Sequence, residues 1–113
     1  MIDSSLVILT AQQITKELGL AESELGKPDG LELLRERVAY VVAHLLEKDF
    51  EKLLNMLYIM DVNEEKIKQV ILEQSDALVH YPIADLIIER EWKKVETRLF
   101  YKQDKLEDEE SWE

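Results

Sequence analysis

The chain has 113 residues, 46% of them apolar, and a formal charge of −11 at neutral pH. At this length a single domain buries roughly two thirds of its unfolded surface, so one core suffices. The absence of cysteine excludes a disulfide framework and a thiolate metal site. The acidic balance repels phosphate backbones and anionic membranes, which speaks against nucleic acid as a partner.

The opening MIDSSLVILTAQQITKELGL has no Lys or Arg before Lys16 and no long apolar run or small-residue cleavage site, so no secretion signal is expected. No stretch approaches the roughly 18 apolar residues that span a bilayer. A cytoplasmic protein without a membrane segment is expected.

In the first segment Leu6-Val7-Ile8-Leu9 would suit a strand, but Val7, Ala11, Ile14 and Leu18 continue at helical spacing. A lone strand would leave its backbone unpaired, which favours the helix. Ser4 or Ser5 can cap its start, and Gly19 can take the left-handed conformation that stops it. Residues 20–30 read as a loop and hinge around Gly26, Pro28 and Gly30. The first helix, residues 1–19, therefore either packs on the body or detaches to reach a second copy.

Asp29 followed by Glu32 resembles a capping box, and Leu31, Leu34, Val38, Val41 and Leu45 form the apolar face of a second helix. Arg35, Glu36 and Arg37 mark its solvated edge. Asp49 is expected to cap a third helix carrying Phe50, Leu53, Leu54 and Leu57. From Met56 to Met60 every residue is apolar or Tyr, and a helix that is apolar all round is normally central. Asn63 caps a fourth helix, with Glu64 and Glu65 in its first turn and Val62 placed to staple onto Ile67. Residues 49–73 are thus expected to form the central hairpin.

A connector over residues 74–81 leads to Pro82 as the first residue of the last helix. That helix carries Ile83, Ala84, Leu86, Ile87, Ile88, Trp92, Val95 and Leu99, with Glu89 and Lys93 as an i, i+4 pair. Residues 104–113 hold six acids against one Lys, and their composition predicts a mobile tail. The expected fold is all-α, a compact bundle of four or five helices over residues 1–103, ending in a disordered acidic tail.

Chemical signatures are sparse. Residues 53–71 superficially resemble a helix-turn-helix, but Asp61 stands where Gly is usual and Glu64-Glu65 would face the phosphates. His44 and Glu47, three apart on one helix, are the candidate metal ligands, yet the order is the reverse of Glu-x-x-His and occurs once. His80 to Asp85 gathers polar groups at a helix start, which reads more simply as helix entry. No cofactor motif, phosphate loop or nucleophile elbow is present. Trp112 among acids reads as a short docking motif or as a plain terminal residue.

The middle of the chain, residues 35–102, resembles a family of small uncharacterised all-helical bacterial proteins. The similar segments are Asp49-Phe50-Glu51-Lys52-Leu53-Leu54 through Tyr58, Met60-Asp61-Val62, Glu65-Lys66-Ile67 and Ile83-Ala84-Asp85-Leu86-Ile87-Ile88-Glu89-Arg90. That resemblance implies a cytoplasmic helical fold and brings no functional residues.

The sequence points first to a non-catalytic module that binds protein, itself as a homodimer or another partner, because wide apolar faces suit association. The interface candidates are Val7, Ile14, Leu18, Tyr58, Trp92 and Leu99. A small carboxylate and histidine metal-dependent enzyme is the alternative, and a DNA-binding regulator comes third.

Overall fold

The computed structural model describes the backbone of residues 4–73 and 79–112 and the side chains of residues 5–73 and 79–100. Among the described residues every regular element is helical: α1 (Ser4–Leu18), α2 (Glu22–Leu25), α3 (Leu31–Lys48), α4 (Phe50–Ile59), α5 (Glu64–Glu73) and α6 (His80–Trp112). The all-α expectation holds, with one short helix more than the sequence suggests. That addition, α2, is a single turn inside the expected loop, and its buried Leu25 ties the loop to the core.

Local chemistry sets most helix ends. Gly19 takes φ 64°, and the amides of Gly19 and Leu20 donate to the carbonyls of Lys16 and Thr15 at 3.3 and 2.9 Å, a left-handed helix stop. The start of α1 coincides with the first described residue, so its cap lies outside the described residues. Gly26 ends α2 at φ 58°, and a Cβ there would stand 3.1 Å from Nη1 of Arg37, which donates to the Leu25 carbonyl at 2.6 Å. Asp49 caps α4 as expected, accepting from the Lys52 amide at 3.1 Å. Asn63 caps α5, accepting from the amides of Glu65 and Lys66 at 2.9 and 3.3 Å.

Two expected helix starts move. Gly30, not Asp29, precedes α3, and no side chain caps its first turn. Asp29 stands one residue too early for the capping box. α6 begins at His80, two residues before Pro82, and the Ile83 amide donates to the Val79 carbonyl at 3.2 Å. Pro82 still falls within the first turn, where its missing N–H needs no partner. The expected connector includes residues 74–78, which lie outside the described residues. At its other end α6 runs on to Trp112, so the acidic segment expected to be a mobile tail has helical backbone to that residue. Residues 103–110 contain no Gly, Pro or β-branched side chain to interrupt the helix.

α6 is the organising element. Its stripe Ile83, Ala84, Ile87, Ile88, Glu91 and Val95 is buried, and α1, α3 and α5 all pack on it. The pairs Glu17–Lys94 and Gln13–Arg98 show that α1 runs antiparallel to α6. Arg35–Asp85 and Glu36–Tyr81 show the same for α3. Of the two arrangements open to the first helix, the packed one is found, with Val7, Ala11 and Ile14 fully buried in the core. The expectation of a central α4 is overturned: that helix is peripheral, packing chiefly on α3. An apolar composition does not make α4 central, because α3 and α6 bury their broad faces against each other first.

Glu91 sits within this apolar stripe. It is 0% exposed, and among the described residues neither carboxylate oxygen has a hydrogen-bond partner. Lys94 Nζ lies 3.4 Å from Glu91 Oε2, close enough for an ion pair but not directed as a hydrogen bond. The same ammonium donates to both oxygens of Glu17 at 3.1 and 3.3 Å. One lysine therefore serves two carboxyl groups, and the inner one is desolvated with little return.

This packing sets the response to two core substitutions. Leu57 is 1% exposed, so Leu57→Ala should cost about 2 to 5 kcal/mol in urea unfolding. Glu91→Leu removes a desolvated carboxyl while Lys94 keeps Glu17, so the same measurement should show a gain of about 1 to 3 kcal/mol. A loss for the leucine variant would mean that Glu91 makes a stabilising bond.

Candidate interaction surface

Exposed large apolar side chains occur on several helices, among them Tyr40, Leu72 and Phe100, and on the outer side of α4 they form a row. At about 100° per residue, Leu53, Leu57 and Met60 fall on the side turned to the core and are buried. Phe50, Leu54 and Tyr58, four residues apart, form an exposed stripe, and Ile59 is exposed on another side of the helix, about 100° round from Tyr58. Tyr58 is 75% and Ile59 70% exposed. Glu51, three residues before Leu54 and seven before Tyr58, shares that side.

Beyond the stripe the chain turns sharply. The amides of Asp61 and Val62 donate to the carbonyls of Tyr58 and Leu57, both at 3.0 Å, and Asp61 is left-handed at φ 61°. A non-glycine residue in that region costs on the order of 1 kcal/mol, and Asp bears it better than most. Arg90 of α6 holds the turn from below, donating to the Asp61 carbonyl at 3.1 Å and to its carboxylate at 3.2 Å. An open cleft of about 480 Å³ at this turn is lined by Tyr58, Asp61, Val62, Asn63, Glu64 and Glu65.

A second concavity of about 430 Å³ lies between α3 and α6, with Leu31, Ile88 and Trp92 as its apolar wall. Charged residues rim it, and most are paired. Arg35 grips Asp85 through Nε–Oδ1 at 2.7 Å and Nη2–Oδ2 at 3.1 Å, and its guanidinium lies 4.7 Å from the centre of the Tyr81 ring. The Tyr81 hydroxyl donates to Glu36 at 2.9 Å. Glu89 takes Lys93 at 3.4 Å and Lys66 at 3.8 Å. The hydrogen bond to Asp85 raises the Arg35 pKa. The bond to the Glu36 carboxylate raises that of Tyr81, with Arg35 pulling it back. These groups lock the helices together and leave little unpaired polarity for chemistry.

The residues singled out from the sequence scatter across this map. Val7, Ile14 and Leu18 are buried in the chain's own core, packing α1, and are not available as an outer interface. Tyr58 and Leu99 are exposed, and Trp92 is half-buried in the wall of the α3–α6 concavity. His44 and Glu47 are both exposed on α3, and Glu47 lies 3.8 Å from Lys48. Among the described residues no group of three or more His, Cys, Asp or Glu stands together as a metal site. His80 opens α6, its ring 4.5 Å from that of Tyr81.

The expected solvated edge of α3 proves to be a set of clasps, since Arg35, Glu36 and Arg37 each bond to another part of the chain. No local pattern marks those partners, which lie up to 50 residues away. Ile59 does not stand out in the sequence because it shares a continuous apolar run with Leu57 and Met60. Comparison with protein-family models, with curated proteins and with solved structures finds no match for this chain.

The Tyr81 geometry has a measurable consequence. With its pKa raised by folding, the contribution of Tyr81 is present below the ordinary phenol value of about 10 and is lost as pH rises through the higher folded value. Spectrophotometric titration should therefore show a late-ionising tyrosine above pH ~10 that is absent in Tyr81→Phe. An unchanged titration in the variant would contradict the bond to Glu36.

Proposed function

We propose that this chain is a non-catalytic protein-interaction module whose contact surface is the outer side of α4. One observation carries the reading: the most apolar of the long helices is the peripheral one, with Phe50, Leu54, Tyr58 and Ile59 exposed on it. Single exposed apolar residues are ordinary. A contiguous row such as Phe50, Leu54 and Tyr58 is not, and Ile59 on another side of the same helix adds a residue whose covering contributes about 1.5 to 3 kcal/mol. The partner is a second copy, giving a homodimer, or another protein.

Within the same proposal the chain works in the cytoplasm, where a protein without cysteine loses nothing. No helix among the described residues is long and apolar enough to cross a membrane. The paired rim of the α3–α6 concavity and the scattered histidines favour neither the metal-dependent enzyme nor a DNA-binding role. The α4–α5 turn does adopt the left-handed geometry a helix-turn-helix needs, but exposed Glu64 and Glu65 open its second helix.

A photoreactive side chain placed at position 58 should cross-link a discrete protein, or a second copy, in cells expressing the chain. The same group at Gln12, on the exposed side of α1, should not. Equal labelling from both positions, or none from 58, would contradict the assignment.

A further inference from the structure

We infer that the outer face of α4 and the cleft at the α4–α5 turn dock a basic amphipathic helix of another protein. The partner's apolar side chains would rest on Phe50 and Leu54, and a cationic side chain would enter the cleft beside Tyr58. This rests on the interaction-module reading and adds the chemistry of the partner.

Shape is the first support. The stripe from Phe50 to Tyr58 spans nine residues of helix, about 12 Å, with side chains every fourth position. That length and period match the i, i+3/i+4, i+7 anchors with which an amphipathic helix grips an apolar surface.

Charge decides the rest. Glu51 lies on the stripe, and Glu64 and Glu65 line the cleft at its end. All three are exposed, and none has an ion pair among the described residues. Asp61 adds a carboxylate whose charge is partly answered by Arg90. The N-terminus of α5 opposes a cation there with about half a positive charge. Glu64 and Glu65 outweigh that half charge several-fold, so the cleft is negative. Lys68, one turn along α5, comes within ion-pair distance of neither glutamate. A lysine or arginine in the cleft meets those carboxylates and the Tyr58 ring, whose attraction for a cation is worth about 0.5 to 1 kcal/mol at an exposed site.

A second copy fits this face less well. It would bring its own Glu51, Glu64 and Glu65 to the same acidic rim, and like charges across an interface are a barrier to association. A basic helix converts the same rim into attraction.

The test uses the full chain, isotope-labelled for amide resonance shifts, and two synthetic helical peptides of roughly 18 residues. The two share one leucine face. The other face carries lysine in one peptide and glutamate in its control. The lysine peptide should shift amides in residues 50–65 selectively, and the glutamate peptide should shift none. Glu64→Gln/Glu65→Gln, which keeps the shape of the turn, should weaken lysine-peptide binding about tenfold, as should raising salt from about 50 to about 300 mM. Tyr58→Leu, which keeps apolar area and removes the ring, should weaken it by a smaller factor.

Lysine-peptide shifts spread evenly over the acidic surface would overturn the site. If both peptides bound α4 equally and charge removal had no effect, the interaction surface would stand and the basic partner would fall. The basic partner would fall in the same way if neither peptide bound while the chain dimerised through α4, seen as a doubled mass abolished by Tyr58→Glu. No peptide binding by a chain that stays monomeric would count against both readings.

Discussion

The inner face of α6 is the constraint on which the rest of the molecule depends. α1 and α3 lie antiparallel on it, α5 packs beside them, and Ile83, Ile87, Ile88 and Val95 are buried along it. Each of these side chains contributes about 1.5 to 3 kcal/mol on leaving water. Glu91 interrupts that face with a desolvated carboxyl. Arg35–Asp85 and Lys94–Glu17 set the registers of α3 and α1 from the rim. Half-exposed, the Arg35–Asp85 pair contributes about 1 kcal/mol at most, so it selects register more than it stabilises.

Once α6 has engaged three helices, only the flank of α3 remains for α4. A helix in that position buries one side. Leu53, Leu57 and Met60 use it, with Met56 partly covered beside them, and Phe50, Leu54, Tyr58 and Ile59 stand in solvent. The turn at Asp61 then carries α5 back to α6, clasped by Arg90. The exposed stripe is thus a consequence of topology combined with a sequence richer in apolar residues than its place in the fold requires. That excess is the physical basis for assigning it to a partner.

Much of the helical framework is legible in the sequence, since local chemistry specifies it. Asp49, Asn63 and Gly19 act where their side chains or φ preferences say they should. Asp29 shows the limit of that reading, because a one-residue shift of the helix start empties the capping box. Which helix is central is not legible. Apolar content ranks α4 high, while centrality is set by which faces find each other across 50 or more residues. For the same reason Val7, Ile14 and Leu18 read equally well as interface or core, and nothing in the spacing separates Tyr58 and Leu99 from them. The clasps Arg35–Asp85 and Tyr81–Glu36 leave no trace in local spacing.

If the outer side of α4 is surplus to the fold, its residues can be changed without loss of stability. The most direct measurement is the urea unfolding free energy of a Tyr58→Gln/Ile59→Gln double variant. With both side chains in solvent, stability should stay within about 1 kcal/mol of the parent chain. A loss above about 3 kcal/mol would show that this face is packed inside the folded chain, and it would then be part of the core and not a surface for a partner.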